Sequence, residues 1–252
     1  MIPRLNLQSE LTEKYATFLT ELAKIPFAGE IRADFANRLI LSTDNSIYQI
    51  LPQGVVFPRT SDDLVHLLRL ASQESYREIT FSPRGGGTGT NGQSLSPGII
   101  IDCSKYMKHI LEMNLEEGWV RVQPGVILDQ LNSYLQPHGV FFAPSVAPSS
   151  RATLGGMINT DACGKGSRIY GRTSDHLLEL TWILVDGTLA RSRPIKIDTL
   201  TELKQDSGRL GNIYRQVDEI VSSKPELIEQ TFPKMPERKV TQICPAFAAV
   251  RG

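Results

Sequence analysis

The chain has 252 residues, 40% of them hydrophobic and 21% charged, and its 27 basic and 27 acidic side chains cancel to a formal net charge of +0. That length suits one large domain or two modest ones, and the charge balance, with no basic stripe of interleaved aromatics, argues against nucleic acid as a partner. No apolar run approaches the roughly 20 residues that would make a transmembrane segment, and the charged N-terminus lacks a signal-peptide core. Three scattered cysteines, Cys103, Cys163 and Cys244, lack the spacing of a zinc or iron–sulfur site and fit a reducing compartment.

Residues 10–25 place Leu11, Tyr15, Phe18, Leu19 and Leu22 near a 3.6-residue repeat, which predicts an amphipathic helix ended by Pro26. Its apolar stripe needs a partner, either the main body or a second copy in a homo-oligomer. Gly29 to Leu41 reads as another short helix. From Tyr48 the pattern changes: Gln53 to Pro58 is a short strand, and Thr60 and Ser61 cap a helix with Asp62 and Asp63 in its first turn. Ile79–Phe81 and Ile99–Asp102 are the next strands, so the order strand, helix, strand, loop, strand predicts a small α/β unit with parallel pairing. Ile110–Asn114 and Trp119–Val122 form a hairpin about Glu116-Glu117-Gly118, and a helix follows over Val126 to Leu135. Ser145 to Arg172 reads as one long irregular segment. His176 to Val185 is a strand turned at Asp186-Gly187 and resumed by Thr188 to Ala190, and Gly208 to Ser222 is a helix. After Pro225 the sequence is polar and proline-punctuated, as in a tail.

Two stretches carry chemistry. The first is Pro83-Arg84-Gly85-Gly86-Gly87-Thr88-Gly89-Thr90-Asn91-Gly92, between two strands. Glycine permits the positive φ angles that turn successive N–H groups toward one point, a concavity that suits phosphate oxygens. A bare glycine-rich loop is the alternative. Gly87-x-Gly89-x-x-Gly92 matches the letter of the dinucleotide fingerprint, but Pro97-Gly98 follows where that motif opens a helix, and no Gly-Lys-Ser/Thr ending makes it a P-loop. The second stretch runs from Pro148-Ser149-Ser150 through Gly155, Gly156, Asn159 and Thr160 to Gly171. Long connections of this kind are commonly functional, and small residues suit either close packing against a flat ligand or a surface lid.

Together with Gln123-Pro124-Gly125-Val126, Tyr170-Gly171 and Val185-Asp186-Gly187-Thr188, these motifs make the span from about Gln53 to Ala190 resemble the FAD-binding domain of the vanillyl-alcohol-oxidase and para-cresol-methylhydroxylase (PCMH) superfamily. Within it the likeness is to bacterial FAD-linked oxidoreductases related to D-lactate, glycolate and D-2-hydroxyglutarate dehydrogenases. It is especially near the start of large D-2-hydroxyglutarate dehydrogenases that carry a distant iron–sulfur segment. The resemblance implies an α+β fold: a PCMH-type FAD-binding domain of two α/β subdomains, the second incomplete, with an N-terminal helical extension. The expected divisions are 1–47 for the extension, 48–104 and 105–224 for the subdomains, and 225–252 for a polar tail or truncated element. A later Gly-Ser-Glu-Gly-like segment and the family's substrate residues are not found, so the chain is expected to be a fragment.

Carried over, the resemblance puts Pro83, Arg84, Gly85, Gly86, Gly87, Thr88 and Gly89, continued by Asn91 and Gly92, on the FAD diphosphate. Pro148, Ser149, Ser150, Gly155, Gly156, Asn159 and Thr160 would line the rest of the cofactor path, with Leu154 and Ile158 in the core. The Arg84 side chain faces either cofactor or solvent. The glycine loop holds neither histidine nor cysteine, so FAD is expected to be noncovalent; His66, His109, His138 and His176 lie outside the cofactor loops, and Cys163 reads as a buried ordinary thiol, with an altered flavin contact as the alternative. The implied chemistry is oxidation of a 2-hydroxy acid by hydride transfer to flavin, with an unidentified electron acceptor and an iron–sulfur cluster only in a region absent from this chain. The expected location is cytoplasmic, with attachment to the periphery of the inner membrane as the alternative. A noncatalytic flavin- or nucleotide-binding module and a structural interaction domain are the competing readings.

Overall fold

The computed structural model describes residues 11–231. They divide into two compact units, one formed by residues up to Asp175 with Val185–Thr188, the other by His176–Leu184 and the residues from Leu189 onward.

The first unit begins with α1 (Glu13–Leu22), whose Tyr15, Phe18, Leu19 and Leu22 are all buried. They join Val56, Leu67, Leu70, Ile79, Ile99 and Ile101 in one core, where Phe18 meets the rings of Tyr76 and Phe81 edge-on at 5.2 and 5.7 Å. The helix therefore docks on the main body: burying those four side chains, each contributing about 1.5–3 kcal/mol, offsets part of the cost of ordering the helix.

Gly29 to Leu41 is not one helix. Residues Glu30–Arg32 form β1, and α2 (Phe35–Ile40) follows after an Asp34 cap that accepts from Asn37 N. The reason is local: β1 pairs antiparallel with β2 (Gly54–Phe57), Glu30 opposite Phe57, and a Cβ at Gly29 would collide with the Phe57 carbonyl. Three residues are too few for an alternation to show in sequence. The chain continues through α3 (Ser61–Ala71), β3 (Phe81–Arg84) and β4 (Ile99–Asp102), giving a sheet of order β1-β2-β4-β3 in which β2 and β3 both run parallel to β4. Thr60 caps α3 by accepting from Asp63 N. Asp63 goes further than complementing the helix dipole: almost fully buried, its carboxylate accepts from the backbone of Ala28, Arg59 and Thr60, fastening the α1–β1 connection to the start of α3.

β5 (Ile110–Asn114) and β6 (Trp119–Val122) form the expected hairpin, and Gly118 takes a positive φ in its turn. α4 (Leu128–Leu135) packs Leu131 and Leu135 with Val126 and Leu154. The stretch read as irregular contains two short helices, α5 (Leu154–Asn159) and α6 (Ser167–Tyr170). In the second unit, β7 (Leu180–Ile183) pairs antiparallel with β8 (Leu189–Ser192), a hairpin shorter on its first arm than the expected strand from His176. α7 (Ile197–Gln205), absent from the expected elements, packs on α8 (Arg209–Ser223), with Lys204 paired to Asp218 at 2.5 Å. α9 (Pro225–Thr231) occupies the first residues of the stretch read as a polar tail; residues 232–252, including Cys244, lie outside the described residues.

Candidate functional site

β3 is the edge strand beside β4, which is why a proline fits within it: Pro83, exposed, pairs in register with Ile101 without leaving a central ladder short of a donor. Arg84 ends the strand, and the glycine loop leaves from there. The Arg84 side chain is turned into the protein, away from solvent. It is 8% exposed, and its guanidinium donates to the Thr43 carbonyl at 2.8 Å and the Leu41 carbonyl at 3.4 Å, with Ser94 Oγ at 3.5 Å. Burial pulls its pKa below the ordinary arginine value, while the Asp102 and Asp44 charges oppose that shift. Ser94 in turn donates to Asp44 at 2.9 Å. Burial pushes the Asp44 carboxyl up, but hydrogen bonds from Ser46 and Ser94 and the Arg84 charge outweigh it and hold the group below the usual carboxylate range.

The loop itself is half-buried from Gly85 to Gly89. Gly87 has φ +62° and Gly92 φ +72°, the left-handed region in which a side chain is strained. Among the described residues, no acceptor meets the backbone N–H of Gly86, Gly87, Thr88 or Gly89. Further along, Asn91 N donates to the Gln93 side chain at 3.1 Å, and the Gly92 carbonyl accepts from Leu95 N. Asn91 N and the Gly92 carbonyl thus help close the turn, and the uncommitted donors include the successive amides of Gly86 to Gly89. Unpaired amides in a half-buried loop want an acceptor, and four in succession suit the oxygens of a diphosphate.

The second stretch forms the adjoining wall. A Cβ on Gly85 would strike the Thr153 hydroxyl and one on Gly86 the Arg151 carbonyl, so backbone lies against backbone; Arg151 also donates to the Gly86 carbonyl at 3.3 Å. Behind this seam, Thr153 bridges Ile127, Leu154 N donates to Val126 O, and Gly155 N donates to Pro124 O. Gly155 is small because Pro124 Cβ would lie 2.6 Å from a side chain there, and Gly125 because it passes the Cys103 and Met107 carbonyls. Gln123-Pro124-Gly125-Val126 therefore links the end of β4 to the start of α5. Pro148 sits at the turn that precedes the wall, its carbonyl accepting from Arg151 N and Ala152 N, and the Ser149 carbonyl accepts from Asp129 N. Ser150 is exposed, as is Gly156, whose only close neighbour for an added Cβ is Thr153 Oγ1 at 3.2 Å.

Asn159 and Thr160 are exposed at the far end of α5, and their side chains bond back to the Gly155 and Gly156 carbonyls. Leu154 and Met157 are buried as core, Ile158 half-buried. Asp161 follows at φ +46°, accepting from Ser174 N and Arg172. Two histidines have structural partners: His66 Nδ1 meets the Pro26 carbonyl at 2.6 Å and His109 Nδ1 meets Gln123. Sequence reasoning missed Arg151 and Thr153, which seat the glycine loop, and the 41–48 segment beneath it. No spacing announces them, since each acts through a long-range contact.

Comparison with known proteins identifies the family. The sequence model of the FAD binding domain matches residues 52–193. D-2-hydroxyglutarate dehydrogenase of Escherichia coli is 48% identical over 93% of this chain and 23% of its own length; that of Pseudomonas putida is 52% identical over 88% of this chain and 22% of its own. The chain thus spans about a quarter of the length of these relatives. Among solved structures, an alkyldihydroxyacetonephosphate synthase superposes with TM-score 0.65 at 21% identity, covering 77% of this chain and 37% of the other. A 6-hydroxy-D-nicotine oxidase from Arthrobacter nicotinovorans gives 0.59 at 20% identity, covering 69% and 38%. At that identity they show the fold alone, a PCMH-type α+β arrangement. Among the described residues no helix is long and apolar enough to cross a membrane. With a glycine loop seated on its partner segment and a family match across more than half of the sequence, the chain belongs to the FAD-binding-domain family.

Proposed function

We propose that this chain is the FAD-binding portion of an oxidoreductase that oxidises a D-2-hydroxy acid, with D-2-hydroxyglutarate as the substrate. One observation carries the cofactor half of this reading: the Gly85–Gly86 backbone abuts Arg151–Thr153 while the N–H groups of Gly86 to Gly89 stay uncommitted. Those amides hold the diphosphate, with Pro83, Arg84, Asn91 and Gly92 shaping the loop's two ends. Pro148, Ser149, Ser150, Gly155, Gly156, Asn159 and Thr160 form the wall that continues along the cofactor. The substrate half rests on identity near 50% to D-2-hydroxyglutarate dehydrogenases. When bound, FAD would supply the redox chemistry, the two-electron oxidation of a 2-hydroxy acid, with an external acceptor as the final oxidant. The chain's own residues bind and orient. Retention is noncovalent, since the loop offers no histidine or cysteine and His66 and His109 are engaged elsewhere. Substrate groups and any iron–sulfur cluster belong to sequence beyond this chain. A cytoplasmic enzyme, free or at the periphery of the inner membrane, and assembly as a homo-oligomer complete the proposal.

A second reading, a flavin-binding module without catalysis of its own, is favoured by one fact: the chain covers under a quarter of its catalytic relatives. Absorbance before and after denaturation, followed by anaerobic titration with D-2-hydroxyglutarate, D-lactate and glycolate, tests both. Released FAD and bleaching of the full-length protein by D-2-hydroxyglutarate are expected. A colourless protein refutes the cofactor reading; a yellow one that none of the three acids bleaches refutes the substrate reading and leaves the binding module.

A further inference from the structure

The underside of the glycine loop is tied to a segment that lies outside the matched 52–193 stretch. Residues 41–48 run beneath it. The buried Arg84 guanidinium reaches the Leu41 and Thr43 carbonyls, Ser94 links that guanidinium to Asp44, and Asn45 N donates to the Gly87 carbonyl at 3.0 Å. Gly87 lies directly against the guanidinium, with Nη2 2.5 Å from where a Cβ would stand, and the Tyr48 ring lies 2.9 Å from the corresponding point on Gly92. The strap is itself fixed: Asp44 accepts from Ser46 N, Tyr48 N donates to Ser46 Oγ, and Thr43 bridges Gln49. Between strap and loop, Asn45 takes the Gly87 carbonyl while the Arg84 guanidinium and the Tyr48 ring lie against Gly87 and Gly92, and none of these contacts occupies an amide of Gly86 to Gly89.

We propose that residues 41–48, gathered around Arg84, brace the glycine-rich loop from below, so that Arg84, Ser94 and Asp44 are positioning residues for FAD that never touch it. With the Gly87 carbonyl held by Asn45 and the Arg84 guanidinium packed against the same residue, the Gly86–Gly89 backbone is held still before the ligand arrives, which lowers the ordering cost of binding. A planar guanidinium can hold two divergent carbonyls and a hydroxyl at once; a lysine ammonium has a different reach and shape. This inference rests on the FAD reading of the loop, yet it has a readout that does not need FAD.

The experiment compares wild-type, Arg84→Lys and Ser94→Ala forms of the full-length protein. Hydrogen exchange of the apo-protein is followed by mass spectrometry over peptides covering 41–50, where Asn45 N donates to the Gly87 carbonyl, Ser46 N to Asp44 and Ile50 N to the Ser42 carbonyl, with peptides from β2 and β4 as internal controls, and FAD dissociation constants come from flavin fluorescence. The brace predicts faster exchange confined to 41–50 in both variants. It also predicts FAD affinity weakened about tenfold or more for Arg84→Lys, and about threefold or more for Ser94→Ala. Unchanged exchange over 41–50 in Ser94→Ala, or FAD constants within about twofold of wild type for both variants, overturns it. Should Arg84→Lys lose protection in β2 and β4 as well, Ser94→Ala decides. Should wild type bind no FAD, the cofactor reading fails while the apo exchange still reports whether the brace exists.

Discussion

Gly86→Ala is the sharpest probe of the seam between the two cofactor stretches. A Cβ at position 86 falls 2.0 Å from the Arg151 carbonyl oxygen and 2.9 Å from its carbonyl carbon. Ordinary contact needs about 3.5 Å, and the obstacle is backbone, so the loop and the wall must part by more than 1 Å at that point. Overpacking of this kind costs about 1–3 kcal/mol. In a protein of this size that lowers the melting temperature by about 2–4 °C per kcal/mol. The displacement also moves the neighbouring amides of Gly87 to Gly89, so FAD affinity falls by at least about tenfold, beyond what a shift in folding equilibrium alone produces in a protein still fully folded at the assay temperature. Thermal unfolding of the apo-protein and FAD titration below the transition check the two effects separately. A variant with wild-type melting and wild-type FAD affinity would show that 86 and 151 are not in contact and refute the reasoning.

Gly156→Ala separates room for the cofactor from room for packing. The position is exposed and helical, an added Cβ meets only Thr153 Oγ1, and replacing a helix glycine by alanine is neutral to stabilising by up to about 1 kcal/mol; apo melting is therefore unchanged or higher while FAD affinity drops. Glu30 accepts hydrogen bonds from Lys105, Tyr106 and Arg32, with Lys105 the largest cause, and these hold its pKa down at about 2 against an ordinary 4.5. A depressed carboxylate contributes stability that is complete above pH 4.5 and lost as pH falls toward 2, so Glu30→Gln should flatten the acid limb of the unfolding curve in that window and leave the alkaline limb alone. Burial, with the Asp102 charge, pushes the Cys103 thiol up to about 12, whereas Cys163, expected from the sequence to be buried, is exposed. Thiol labelling of the native protein at neutral pH, mapped by peptide mass, should modify Cys163 and spare Cys103.

How far the sequence disclosed all this depended on the length scale of each cause. The stripe Tyr15, Phe18, Leu19, Leu22 repeats with a helix's period, so α1 is legible without any knowledge of what it packs on. The glycine loop is legible because few other reasons exist for Gly85-Gly86-Gly87 and Gly89 between two strands. By contrast, β1 is three residues held by an edge pairing with β2, a cause that lies outside its own window. α5 is hidden because Leu154-Gly155-Gly156-Met157-Ile158-Asn159 has two poor helix formers at its start, and the second-layer reason for Gly155, the Pro124 ring, is far away in sequence.

Arg84 is the instructive case at the site. Its place in a glycine-rich motif suggests a cation aimed at phosphate, and only the fold reveals that its charge is spent on the carbonyls of Leu41 and Thr43. The segment that supplies them, Leu41-Ser42-Thr43-Asp44-Asn45-Ser46, looks in sequence like any polar turn. Nothing periodic marks it, because its role lies entirely in where its carbonyls and carboxylate point.

If the main-chain amides of Gly86 to Gly89 receive the FAD diphosphate, each of them reports it. Backbone amide NMR of isotopically labelled protein, titrated with FAD, follows them residue by residue. Large downfield shifts and slowed exchange are expected for Gly86, Gly87, Thr88 and Gly89, with smaller changes at Gly155 and Gly156. Saturable FAD binding that leaves those four amides unmoved would contradict that role.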